Sequence, residues 1–155
     1  MKTLKKLLTF GLVLSGIYVP KALATDVRGI LSSDTTWEAS KSPYVVTGSV
    51  TVASGVILTI EAGVEVKIDS GKGILVKGSL VAIGTDGQNI VFTSNQVSPA
   101  AGDWAYIKFR DESVDAGFDG NGDYVNGSIL KYCQVMYGGG GGQMEVWKQI
   151  IQPLS

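Results

Sequence analysis

The segment Ser54-Gly55-Val56-Ile57-Leu58-Thr59-Ile60 is echoed by Ser70-Gly71-Lys72-Gly73-Ile74-Leu75-Val76. The interval is about 16 residues, and Asn89-Ile90-Val91-Phe92-Thr93 lies a similar step further on. Between the first two runs, Val64-Glu65-Val66-Lys67-Ile68 alternates, with apolar residues on one face and charges on the other. Short Val- and Ile-rich bursts separated by Gly, Ser, Asn and Asp are strand-and-turn composition. The expected strands are Tyr44–Val46, Ser49–Val52, Ile57–Glu61, Val64–Ile68, Ile74–Val76, Ser79–Ile83, Ile90–Thr93, Tyr106–Phe109 and Ser128–Tyr137. A sandwich would use similar strands. The echoed Gly turns and short strands favour a solenoid, in which each repeat stacks on the next.

Upstream of the repeats the chain reads as an export signal. Lys2, Lys5 and Lys6 precede an uncharged stretch from Leu7 to Val19, which Pro20 ends. Ala22-Leu23-Ala24 is a small-x-small site, with cleavage expected before Thr25. The apolar stretch falls short of the roughly 20 residues of a membrane-spanning helix. Lys2, Lys5, Lys6 and Lys21 leave with the signal and all 14 acidic residues stay, so the net charge moves from −1 to −5. That balance disfavours nucleic acid and anionic membranes as partners. No second long apolar segment offers a transmembrane helix. The expected location is secreted, periplasmic or cell-surface.

Cys133 is the single cysteine, and the chain has no histidine. No internal disulfide can form, and a nucleophilic cysteine would lack its usual base. Cys133 reads as a small core residue.

Further residues match a known group. Thr35-Thr36-Trp37, Ser42-Pro43-Tyr44-Val45-Val46-Thr47-Gly48-Ser49-Val50-Thr51-Val52 and Gly55–Val64 resemble the N-terminal cap and first coils of bacterial secreted right-handed parallel β-helix proteins of pectin-lyase-like architecture. Gly102-Asp103-Trp104-Ala105-Tyr106-Ile107-Lys108-Phe109 and Gly127–Gly139 resemble later coils of the same group. The resemblance covers roughly residues 27 to 139 and implies an all-β fold, a short right-handed parallel β-helix with an N-terminal cap behind a signal peptide helix. Activity does not follow from it, since this architecture hosts lyases, hydrolases and adhesins. The implied organisation is signal peptide 1–24, cap region 25–48, coils 49–139 and an atypical tail 140–155. That tail reads either as a truncation or as a terminal cap, and truncation is preferred because five consecutive glycines, 138–142, dock a cap poorly.

Three groups of residues invite chemistry. Asp119, Asn121 and Asp123 occupy alternate positions of a calcium-loop pattern. Tyr124 stands where the loop's turn glycine belongs and Leu130 where its bidentate glutamate belongs, so a polar turn is the simpler reading. Asp103, Arg110, Asp111, Glu112 and Asp115 are candidates for acid–base work, but adjacent strand residues alternate faces and no spacing gathers them. Trp37, Trp104, Tyr106, Tyr124, Tyr132 and Tyr137 offer faces to sugar rings, against packing in cap and core. No catalytic set emerges and no cofactor is expected beyond calcium. The expected function is a non-catalytic structural or binding module, a fragment of a longer protein. Its partners would be carbohydrate or cell-surface components, and an open solenoid end could associate with itself. The alternatives are the N-terminal part of a carbohydrate-active β-helix lyase or hydrolase lacking its catalytic coils, and a calcium-dependent carbohydrate-binding domain.

Overall fold

The computed structural model describes residues 23–140. The expected signal helix, apart from Leu23 and Ala24, and the tail beyond Gly140 lie outside the described residues. Thirteen strands are described in chain order. They are β1 (Thr25–Leu31), β2 (Thr35–Trp37), β3 (Tyr44–Val52), β4 (Ile57–Ile60), β5 (Glu65–Ile68), β6 (Gly73–Val76), β7 (Ser79–Ile83), β8 (Ile90–Ser94), β9 (Tyr106–Phe109), β10 (Gly117–Phe118), β11 (Tyr124–Asn126), β12 (Ile129–Lys131) and β13 (Cys133–Val135).

All pairings among these strands are parallel except β10 with β11. Parallel pairing needs a long crossover, and here the crossover is the rest of one turn of the coil. Each turn contributes to three stacks. One stack runs β1, β3, β5, β8, β13. A second runs through the later halves of β1 and β3 into β6 and β9. The third runs β2, β4, β7, β12. This is a parallel β-helix.

Register places like residues above one another. Tyr44 lies beside Val66, and Val66 beside Phe92. Val50 lies beside Ile74, and Ile74 beside Ile107. Trp37, Ile60, Ala82 and Leu130 form a third row. The inner faces bury completely at Val46, Val50, Val52, Leu58, Val66, Ile74, Leu80 and Phe92. Their alternation with outward residues is the period of two seen in the sequence.

Two expectations change. The echo at 54–60 and 70–76 does not mark one turn. Ile57–Ile60 pairs with Ser79–Ala82 in one stack, whereas Ile74–Val76 pairs with Val50–Val52 in another. The echo links two faces of successive turns, because each face is a short apolar run after a Gly corner. The side-chain bonds that join the earlier turns instead span 22 to 26 residues, and the excursion after β9 lengthens the later span to 48 at Leu80–Ser128. The expected strand Ser128–Tyr137 is also broken. Tyr132 turns the chain with a φ of 52° between β12 and β13, and Tyr137 repeats this at 64°. The helix must change face there, so the run bends although its composition alternates.

Corners leave strand-starting amides without ladder partners, and side chains of neighbouring turns accept them. The Ile57 amide donates to Asp34 Oδ1, Glu65 to Ser42 Oγ and Gly73 to Ser49 Oγ. The Leu80 amide donates to Ser128 Oγ at 3.2 Å in a buried setting. Ser128→Ala is therefore expected to cost about 1–3 kcal/mol, the penalty for an unsatisfied buried donor. Ser49→Ala, where the bond is only partly buried, should cost about 1 kcal/mol. Urea unfolding of both variants measures the difference.

Candidate functional site

Between β9 and β12 the chain leaves the helix for an excursion over residues 110–127. Its base is pinned. The Val114 amide donates to the Gly78 carbonyl, and the Ser128 amide donates to the Val114 carbonyl at 2.9 Å. The tip is the β10–β11 hairpin, with Phe118 and Tyr124 edge to face at 6.2 Å. The Tyr124 hydroxyl donates to the Gly127 carbonyl at 2.6 Å.

The calcium-loop candidates Asp119, Asn121 and Asp123 form the hairpin turn. Asp119 Oδ1 accepts the amides of Asn121 at 2.8 Å and Asp123 at 2.9 Å. The Asp119 amide in turn donates to the Asp123 carbonyl. The Asp123 and Asn121 amides hold the Asp119 carboxyl below its ordinary range. This is an Asx-type turn. One carboxylate oxygen that a cation would claim is already engaged by the backbone. Among the described residues, no three His, Cys, Asp or Glu side chains are grouped to hold a metal ion.

The acid–base candidates separate. Asp103 sits at the corner before β9. Its Oδ2 accepts the Ser94 hydroxyl at 2.6 Å and the Ala100 amide at 2.8 Å. These bonds, Ser94 first, lower its pKa. Arg110, Asp111, Glu112 and Asp115 are exposed on the excursion. The Arg110 carbonyl accepts the Ser113 amide in a tight turn. Sequence reasoning missed the partners of Asp103. Asn95 Nδ2 donates to Asp69 Oδ1 at 2.7 Å, and the Gln96 amide donates to Ser94 Oγ. The register accounts for the Asp69–Asn95 bond alone, since Ile68 pairs with Ser94 and the residues after each strand become neighbours, whereas Ser94 and Ala100 reach Asp103 within one corner loop.

The aromatic candidates divide too. Trp37 stacks on Tyr44 with centroids 5.0 Å apart, and the Tyr44 hydroxyl accepts the Glu38 amide. Trp104 is buried, and its Nε1 donates to the Met136 carbonyl at 2.8 Å. Tyr106 and Tyr124 are half-buried. Tyr132 and Tyr137 are exposed at the two corners flanking β13, with Val135 and Met136 between them. The structure does not gather the six aromatics into one surface.

Cys133 lies partly buried in β13, its Sγ donating to the Ala82 carbonyl at 3.4 Å. Burial pushes its thiol up to about 11. The folded state keeps this proton where the unfolded chain releases it. Stability from this group is thus intact below about pH 9 and falls as pH rises toward 11. Comparing the pH dependence of urea midpoints for the parent and Cys133→Ala isolates the effect. The parent should fall more steeply across that window.

No helix among the described residues is long and apolar enough to cross a membrane. In comparisons with known proteins, the family model described as "Pectate-lyase like beta helix domain" matches residues 29–145. No curated protein and no solved structure matches.

Proposed function

We propose a function on the premise that the chain belongs to the pectate-lyase-like β-helix domain family: it is exported and serves at or beyond the cell surface as a non-catalytic structural or binding module. The observation that carries this is how four of its carboxylates are used. Asp34, Glu61, Asp103 and Asp119 each accept a backbone amide that closes a corner or a turn. A general acid or base must instead present its carboxyl to a substrate. Cell-surface carbohydrate is the proposed partner, met through the outer face rather than a catalytic groove. The acidic mature chain favours a neutral glycan over a polyanion.

The test uses the chain from Thr25 onward with several acidic polysaccharides, with and without millimolar calcium. No unsaturated uronate is expected. Its release would establish lyase activity and overturn the proposal. Calorimetry in the same buffers should show no heat for calcium, because the Asp119 turn is closed by its own amides. Heat lost in Asp119→Asn/Asp123→Asn would assign a calcium site there.

A second reading takes the chain as the opening turns of a longer carbohydrate-active β-helix. It is favoured by the last turn, where β9, β12 and β13 each have a strand partner on one side only among the described residues. Genomic DNA beyond the Ser155 codon tests it. Further coils encoded there would support it, and their absence would remove its basis.

A further inference from the structure

We propose that the outer edge of β1 docks a second copy of this chain, the two β1 strands running antiparallel across a two-fold axis at Val27. The proposal goes beyond the exported-module reading, which does not depend on it.

The edge is open. Among the described residues β1 pairs with β3 and with no other strand. The Thr25 amide donates to the Pro43 carbonyl at 2.9 Å, so the polar groups of Thr25 are directed at β3. Along a strand, successive residues turn their amides and carbonyls to opposite edges. Those of Val27 therefore also face β3, and those of Asp26 and Arg28 face outward. A strand that ends a sheet in this way is a template for another chain, and Thr25–Arg28 carries neither the proline nor the lysine that commonly blunts such an edge. A bulge then shifts the register with β3 between Val27 and Gly29, whose φ is 86°. It confines the straight edge to Thr25–Arg28.

The side chains select the occupant. Asp26 and Arg28 are both exposed and lie two residues apart, so they share the outward face. Among the described residues neither forms an ion pair within its own chain. The Arg28 stem lies over Gly48, where no side chain stands in its way. An antiparallel pair centred on Val27 sets Asp26 opposite Arg28 of the second copy, and Arg28 opposite Asp26 of the second copy. These are also the residues whose amides and carbonyls face outward, so each pair of opposite charges coincides with a hydrogen-bonded pair of the ladder. Val27 meets its own counterpart in a non-hydrogen-bonded pair, in keeping with its polar groups being turned to β3. Neighbouring registers fail on charge. Centring the pair on Asp26 opposes two carboxylates, and centring it on Arg28 opposes two guanidinium groups. The contact is self-complementary, so it closes as a dimer and does not propagate. So short a ladder makes the dimer weak and reversible.

Charge exchange tests the pairing. Sedimentation equilibrium of the protein expressed from the full-length gene should show a monomer–dimer mixture. Asp26→Arg and Arg28→Asp each set like charges opposite one another, and each should weaken association roughly tenfold. Mixing the two single variants restores opposite charges across the two-fold, so the mixture should associate as the parent does. The double variant Asp26→Arg/Arg28→Asp should do the same alone. Far-UV circular dichroism should be unchanged throughout, because both side chains are exposed. A parent that stays monomeric to the limit of its solubility would overturn the proposal. So would a dimer indifferent to the single substitutions, which would place the contact elsewhere, or single variants that fail to rescue one another.

Discussion

Trp104→Ala is expected to lower stability by about 3–5 kcal/mol, the range for deleting a fully buried aromatic. Trp104 is 1 % exposed and closes the core at the approach to β9. Its loss removes three things at once. The ring leaves a cavity that the rigid ladder above it cannot fill by collapse. The Met136 carbonyl loses its donor. Gly138 loses the surface it packs on, so the chain beyond β13 loses its seat. Trp104→Phe keeps much of the ring and drops only the hydrogen bond and some volume. It should cost about half as much, which separates packing from the lost donor. Guanidinium unfolding of the three proteins, followed by circular dichroism, supplies the values. A loss below about 1 kcal/mol for alanine would contradict the packing described.

Gly78→Ala should be at least as damaging, through the opposite fault. Gly78 is the buried residue at the corner between β6 and β7. A Cβ there would drive into the carbonyl oxygens of Val56 and Ala53, and within 3.0 Å of the Val56 nitrogen. These are backbone atoms of the preceding turn, and they carry the hydrogen bonds that close the corner. The Val56 carbonyl accepts the Ser79 amide at 2.9 Å, and the Val56 amide donates to Ala53. No rotamer change relieves the contact, so the corner must open and take those bonds with it. Overpacking ordinarily costs about 1–3 kcal/mol, and a backbone clash that breaks hydrogen bonds should reach about 4 kcal/mol or prevent folding. Gly55→Ala is the control. A Cβ at Gly55 meets nothing within 4 Å, and the residue's φ of 77° is the source of any cost. That substitution should cost about 1 kcal/mol. Equal losses for the two variants would show that the close approach at Gly78 does not matter.

The strands that could be read most fully from the sequence are those whose pattern and corners agree. β7 and β9 begin and end where alternation and turn residues place them. The apolar inner rows were legible as well, because a buried strand face writes itself as every second residue. What stayed hidden was which row stands above which. The spacing of about 16 residues at Ser54 and Ser70 is a local likeness between two faces, and register depends on corner lengths that composition does not encode. β3 reads as two strands because Thr47-Gly48 interrupts the apolar run, yet it continues as one bent strand serving two stacks. β10 and β11 are too short to leave a periodic trace.

The site was legible only as a set of residue types. Asp119, Asn121 and Asp123 were recognisable as a turn, and the failed calcium-loop positions at Tyr124 and Leu130 already favoured that reading. The bonds that define Asp103 were not, because Ser94 reaches it across a corner loop. The positive φ at Tyr132 and Tyr137 was equally invisible, since bulky residues seldom adopt it.

The excursion between β9 and β12 has an evolutionary consequence. Its feet are tied to each other and to Gly78 by the Val114 bonds, while β12 still finds β7 in register. The tied feet fix where this branch departs and returns, so its tip is the part of this turn best placed to vary in length. Such a corner is a grafting port. A lineage that lengthens, shortens or replaces the hairpin tip, residues 117–124, is expected to leave the rungs in place, and a protein engineer can test the same change by circular dichroism. Diversity among descendants of this scaffold should accumulate at that one elbow, while the stacked faces around it stay nearly unchanged.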